Sequence, residues 1–302
     1  TETTNTIDLG AETLVIGDNS GQNTIEGPIT GTGGNLTKNG TDRLVLWSVC
    51  THTGTTTVNN GFLRVGLFTA GGLQAELAGD GPVVVNAPGA LEYNIDIEKT
   101  VYQTGAISGD GRVLTMADGT LVFDGPAANT FSGGFDLGDD TSSTYDFDTG
   151  GTPAGTKAGF VVVNRGDHLG TGKILSRGAQ LQAGVPGIVI PNDIDITNGG
   201  LRFGGTIDFE FSGQITPIGA TARGFGNYGL EGLDVTFSGD INLDDGNLNV
   251  EGSNGKDNGT TTFTGNISGT SAGTGTGNVL AQNTFDNGVA TFTGTNTYTG
   301  TT

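Results

Sequence analysis

The sequence predicts an all-β fold of the solenoid class, wound into rungs that each lie on the one before. Three observations carry the expectation of a solenoid. The composition suits strands and tight turns and little else. A short Phe-Ser/Thr-Gly motif returns at equal spacing. A turn glycine followed by an alternating apolar strand recurs along the whole chain.

Of 302 residues, 57 are Gly, 47 Thr and 24 Asn, and only one is Met. Glycine and asparagine supply turns, and threonine, valine, isoleucine and phenylalanine fit a pleated surface, while good helix formers are scarce. Helical bundles and doubly wound α/β folds are therefore excluded. Low hydrophobicity with high net charge also marks disordered chains. Here, however, the apolar residues, 33% of the chain, sit in short alternating runs such as Leu91 to Ile97, which disorder has no reason to keep.

The motif reads FSGQIT from Phe211, FSGDIN from Phe237 and FTGNIS from Phe263, with the same interval at both steps, and a partial copy, FTGT, starts at Phe292. EGPITG from Glu26 and TGAISG from Thr104 look like earlier relatives, because Gly27 and Gly105 are separated by three times that interval. The glycine-then-strand element appears as NNGFLRVG from Asn59, APGALEYN from Ala87 and ADGTLVFDG from Ala117. It returns as SRGAQLQAG from Ser176, NGGLRFGG from Asn198 and DDGNLNVEG from Asp244. In each, an apolar residue returns at every second position, which gives one buried strand face. A period in the twenties built of strands and turns signals a β-solenoid, whereas propeller blades need about 40 to 50 residues. At roughly 25 residues per rung the length allows roughly 12 rungs. The pattern lapses at 139–159 and 217–232, and more briefly at 252–259 and 269–277. These stretches are expected to be loop excursions from a single solenoid domain spanning residues 1–302.

With 12 Lys and Arg against 32 Asp and Glu, the net charge is −20. That disfavours nucleic acid and anionic lipid, both of which need clustered cations. No apolar run approaches the roughly 20 residues of a helical membrane span, and no signal peptide opens the chain. One cysteine excludes an internal disulfide framework.

The segment Gly31 to Gly66, GTGGNLTKNGTDRLVLWSVCTHTGTTTVNNGFLRVG, resembles the autotransporter-associated β-strand repeat, also called the passenger-associated transport repeat. That repeat has a Gly-rich opening, a Leu-Thr-Lys-x-Gly step, a Leu-x-Leu strand, Asn-Thr-Tyr-Thr-Gly, then Thr-Thr-Val-x-x-Gly-x-Leu. Looser matches are NTFSGG from Asn129, the HLGTG run ending at Gly172 and NTYTGTT from Asn296. The resemblance is close over Gly31 to Gly66 and loose over most of the chain. It implies the right-handed parallel β-helix, exported from a bacterial cell and displayed outside it. The family's translocator barrel is not in this sequence, and Cys50 and His52 stand where the repeat has Asn and Tyr.

The chain stops at NTYTGTT, halfway through a repeat, and starts with TTNTIDLGAETLVIG, which resembles the second half. This raises the expectation that copies stack head to tail into a fibre, since open solenoid ends are strand edges and a contact that does not close grows a filament. The alternative is a cut at an arbitrary place.

Candidate chemistry is sparse. Carboxylate pairs at strand spacing, Asp208 with Glu210, Asp193 with Asp195 and Asp146 with Asp148, share a face about 6.5 to 7 Å apart. Such pairs suit glycosidase acid and base roles, and Arg202 beside Asp208 and Glu210 would strengthen that reading. The simpler expectation is a solvated outer face, with Glu92, Asn94, Asp96 and Glu98 likewise facing water. Asp136, Asp139 and Asp140, with Asp146 and Asp148, crowd one loop and are candidate calcium ligands; a mobile acidic loop is the simpler account. Arg165-Gly166-Asp167 spells an integrin-binding tripeptide, although turn chemistry accounts for it. His52 and His168 sit in no metal-ligand spacing. Cys50 is expected in a polar turn as a free thiol, able to cross-link chains in an oxidising medium. No catalytic residue and no cofactor is assigned. The expected function is a non-catalytic extracellular structural or adhesive β-solenoid on or outside a bacterial cell. Its expected partners are other copies of itself, with possible glycan or cell-surface contact. The alternative is a secreted β-helix carbohydrate-active enzyme, such as a polysaccharide hydrolase or lyase, or a glycan-binding passenger domain.

Overall fold

The computed structural model describes residues 5–17, 21–66, 74–96, 99–117, 119–138, 159–196, 200–218, 222–227, 232–243, 247–251, 259–269, 279–282 and 289–298. Among them every regular element is a strand, and strands pair in parallel with the strand one rung away, so the fold is a parallel β-solenoid. No helix of the described residues is long and apolar enough to cross a membrane. The described residues fall into two compact units, 5–138 with 159–161 and 170–172, and 162–169 with 173–298.

In the first unit a rung is three short strands joined by turns, for example Val49–Cys50, Thr56–Val58 and Phe62–Val65. Period-two alternation puts one row of side chains inward. Stacking aligns those rows into columns: Leu44, Leu63, Leu91, Val113 and Phe135 are in register and all buried. Each such apolar side chain contributes about 1.5–3 kcal/mol by leaving water. Where two turns touch, the backbone leaves no room for a side chain. A Cβ on Gly81 would lie 2.1 Å from the carbonyl oxygen of Gly54, and one on Gly105 would lie 2.0 Å from that of Gly81. Asparagines tie successive turns: Asn59 donates from Nδ2 to Oδ1 of Asn39, and Asn86 to Oδ1 of Asn59, both at 2.8 Å.

The second unit repeats more strictly. Ile174, Ile194, Ile215, Ile241 and Ile267 form one buried column. Phe211, Phe237 and Phe263 form another, continued by the half-buried Phe292, with rings stacked at 5.0, 5.0 and 4.9 Å between centroids. The FSG motif is thus the inward Phe, a hydroxyl residue, and a glycine with no room for a Cβ. On Gly239 that atom would sit 1.8 Å from the oxygen of Gly213, and on Gly265 2.0 Å from that of Gly239.

The longest series of paired strands among the described residues has six members in the first unit and, in the second, five whole strands with part of a sixth, Phe160–Val163, in keeping with the approximate rung count an even period suggests. Other details depart from the sequence reading. Rung length is uneven: Arg43 pairs with Phe62 one rung on and Leu248 with Val279, so the second of these rungs is more than half as long again as the first. EGPITG and TGAISG are not equivalent, because Ile29 pairs with Ile7 in one sheet and Ile107 with Val83 in another; their spacing of three periods is coincidence. Within 217–232, Ala222–Asn227 is a strand paired between Leu201–Gly204 and Asn247–Glu251. The other expected excursions, at 139–158, 252–258 and 270–277, lie outside the described residues.

Candidate functional site

The densest charged cluster lies on the outward row of the sheet that holds the Leu44–Phe135 column. Val45, Arg64, Glu92, Leu114 and Asp136 follow one another across five adjacent strands. Glu92 points away from the core, as alternation requires, yet it is fully buried, and Asn94 and Asp96 beyond it are buried too. The expectation that these three face water is therefore overturned; Glu98 is outside the described residues. Arg64 grips Glu92 with both ends of its fork, Nη2 to Oε1 at 2.7 Å and Nε to Oε2 at 2.9 Å, and Arg43 adds Nε to Oε2 at 3.1 Å. Bidentate arginine pairing is the strong form of this interaction. It offsets the cost of desolvating the carboxylate, which a single partner seldom does. The Arg43 guanidinium also lies 5.0 Å over the Phe62 ring. Further along the same sheet, Arg112 pairs with the buried Asp136. One group of ion pairs ties three adjacent strands together from outside, and the other ties the next two.

That pairing bears on the calcium candidates. Asp136 is engaged by Arg112, while Asp139, Asp140, Asp146 and Asp148 lie outside the described residues. Among the described residues no three His, Cys, Asp or Glu side chains are grouped to hold a metal ion.

The carboxylate pairs of the second unit sit at turns and on the outer face, and each is engaged by the rung above or below. Asp193 accepts from the backbone N–H of Gln214 at 2.9 Å, Asp208 from Asp234 at 2.9 Å, Asp234 from Thr260 at 2.7 Å and Asp240 from Asn266 at 2.8 Å. Lys173 reaches both oxygens of Asp195, at 3.1 and 3.3 Å, and Ser238 donates to Glu210. Arg202 is on a different sheet from Glu210. It is in register with Gln180 and Gly226, whereas Glu210 lies between Val189 and Thr236. The structure does not bring Arg202 into register with the carboxylate pair.

Arg165 and Asp167 pair with each other, Nε to Oδ1 and Nη2 to Oδ2 both at 2.8 Å. The hydrogen bond from Arg165 holds the Asp167 carboxyl below its usual range. The tripeptide is folded on itself in a turn.

Cys50 lies in the strand Val49–Cys50 and points into the core, so the expected polar turn is corrected to a buried position. Burial pushes its thiol up to about 11, so thiolate is scarce at neutral pH and cross-linking through it is not accessible in the folded chain. Two residues on, His52 is buried as well. Its Nε2 is 2.8 Å from Thr56 Oγ1 and its Nδ1 has no hydrogen-bond partner. Desolvation lowers its pKa and favours the neutral ring. His168 is buried in the second unit.

One chemically distinctive residue was not singled out in the sequence. Lys38, the lysine of the Leu-Thr-Lys-x-Gly step, is buried between Ile16 and Val58 of the adjacent rungs. Its ammonium donates to the carbonyl oxygens of Asn39 at 2.5 Å, Gly40 at 2.8 Å and Asn60 at 3.3 Å. The signal was its place two residues after the buried Leu36, on the inward side of an alternating strand.

No family model matches the chain, and no curated protein or solved structure was found to match it.

Proposed function

We propose that this chain is a non-catalytic, extracellular structural or adhesive solenoid of the autotransporter-passenger kind. One observation carries the reading: the carboxylates that could have served chemistry are engaged in holding rungs together. Glu92 and Asp136 are clamped by arginines, and Asp193, Asp208, Asp234 and Asp240 each accept a backbone N–H from the neighbouring rung. A general acid or base needs a proton to exchange with a bound substrate, and a carboxylate bound to its own backbone is poorly placed for that. Bonds of this kind suit a surface that must last outside a cell. Association between copies belongs to the same reading, because the outermost rungs of any solenoid present strand edges that a second copy can continue.

The test is a panel of neutral and acidic polysaccharides incubated with the purified protein, with products followed by reducing-end assay and unsaturated-product absorbance. The expected outcome is no cleavage, together with lasting resistance to trypsin. Turnover that is lost on Glu210→Gln or Asp208→Asn would replace this proposal with the carbohydrate-active one. Negative-stain microscopy of the same sample reads self-association directly.

A further inference from the structure

We propose that the corner from Val49 to Thr56 is an acid-operated catch: protonation of His52 opens this corner while the rest of the first unit stays closed. The rungs on either side offer His52 no side chain. Backbone bonds from Thr51 N–H to the Ile29 carbonyl and from Ala78 N–H to the Cys50 carbonyl, both 2.8 Å, set it in register between Gly31 and Gly79. A Cβ on Gly79 would lie 1.8 Å from the His52 carbonyl oxygen, so that place stays empty of side chain. The imidazole is buried there with one nitrogen engaged, Nε2 at 2.8 Å from Thr56 Oγ1, and with Nδ1 unpartnered.

A neutral ring suits this place and a charged one does not. The imidazolium carries a proton on both nitrogens, and the one on Nδ1 meets no acceptor while its charge sits away from water. The charged groups of the surrounding strands do not relieve it. Ile29 to Gly31 and Thr56–Val58 carry none. On the next rung Glu76 is turned to the Tyr102 N–H, and the exposed Asp80 accepts from Thr104. Arg43 and Arg64 are held outward on Glu92, and the Lys38 ammonium is turned to the carbonyls of Asn39, Gly40 and Asn60. Cys50, on the same inward row, is kept neutral by burial.

The corner is also the least pinned side of its rung. Val49–Cys50 pairs with Glu76–Leu77 in a sheet of two short strands, whereas Thr56–Val58 is the middle member of a five-stranded sheet. Local opening is cheapest where pairing is sparsest. Thr51 and Thr53, on either side of His52, are exposed, so water is one residue away. In the open corner His52 titrates near 6.5, and burial places it lower in the closed one. Between those values the open form binds a proton that the closed form does not, so opening gains up to about tenfold for each pH unit of acidification.

Hydrogen exchange read at single amides of the whole chain, corrected for the intrinsic effect of pH, tests this from neutral to mildly acid solution. The N–H groups of Thr51, Thr53 and Ala78, which tie the corner to its neighbours, are expected to lose protection by up to about tenfold per pH unit below about 6.5. Those of Asn59, Gly66 and Asn86, which tie the other sides of these rungs, are expected to keep theirs. His52→Gln, which takes up no proton, is expected to abolish the difference. An equal loss in His52→Gln, or a loss shared alike by Asn59, Gly66 and Asn86, would overturn the proposal. If His52→Gln fails to fold, the comparison of the two sets of amides in the unaltered protein decides alone.

Discussion

The two units solve one stacking problem with different materials. The second is repetitive: an isoleucine column, a phenylalanine stack and an aspartate ladder in which the same contact returns at a separation of 26 residues. The first copies no such series of contacts and buries charged groups as well as neutral ones, Lys38, His52, Glu92, Gln103 and Thr115 among them. Tyr93 there is wholly buried and donates to Gln103 Oε1 at 2.6 Å, and Gln103 passes the bond on to the Gly105 carbonyl. Burial raises the Tyr93 pKa, so it remains a donor at any ordinary pH. A uniform rung gains its stability by copying contacts, while an irregular one leaves gaps in the pattern that only a specific polar partner fills.

Breaking a copied contact should cost most. Phe237→Ala removes a ring stacked on both sides and leaves a cavity between Phe211 and Phe263. The expected loss is about 3–5 kcal/mol, read as faster hydrogen exchange at Phe211–Phe263 with the first unit unchanged. Glu92→Gln comes next, at about 2–4 kcal/mol, because it leaves two arginines facing a neutral amide in a buried place. Urea unfolding followed by Trp47 fluorescence measures it. If Glu92→Gln proves neutral, the clamp adds nothing to stability. Asn59→Ala removes one member of the asparagine ladder and should cost about 1 kcal/mol, seen as a small shift of the same transition. The smallest effect expected is a pH dependence. His52 titrates near 6.5 when unfolded, and burial places it lower in the folded chain. Between those values the unfolded chain binds the proton and the folded one does not. The first unit should therefore lose stability as pH falls below about 6.5, and His52→Gln should flatten that slope.

This contrast also explains what the sequence could reveal. Where rungs are copies, periodicity alone located the strand, its inward face and its glycine, and the Phe211, Phe237 and Phe263 motifs fell in register as expected. Where rungs differ in length, periodicity misled. Gly27 and Gly105 looked equivalent, yet the strands that follow them lie on different sheets. Glu92 looked solvated because alternation says which way a side chain points but not what covers it. Its partners Arg43 and Arg64 are 49 and 28 residues away, and neither separation is a multiple of the 26-residue interval of the FSG motif. Lys38 passed unmarked, since burying an ammonium is rare and the carbonyls that receive it come from turns whose positions depend on the register.

The stack beginning at Phe211 has one more consequence. Because Phe237 stands in register with Phe211, and Gly239 over Gly213, the stretch from Phe211 up to Phe237 is expected to act as an interchangeable cassette. Excising it would set Phe237 against Ile190 and Gly239 over Asn192, as Phe211 and Gly213 now lie. Copying it would insert a rung without altering the register on either side. The step from Phe263 to Phe292 is slightly longer than the two before it, so the copy need not be perfect: extra residues can be accommodated while the ring keeps its place. Length in such a chain is therefore a quantity that unequal recombination can add or remove one turn at a time.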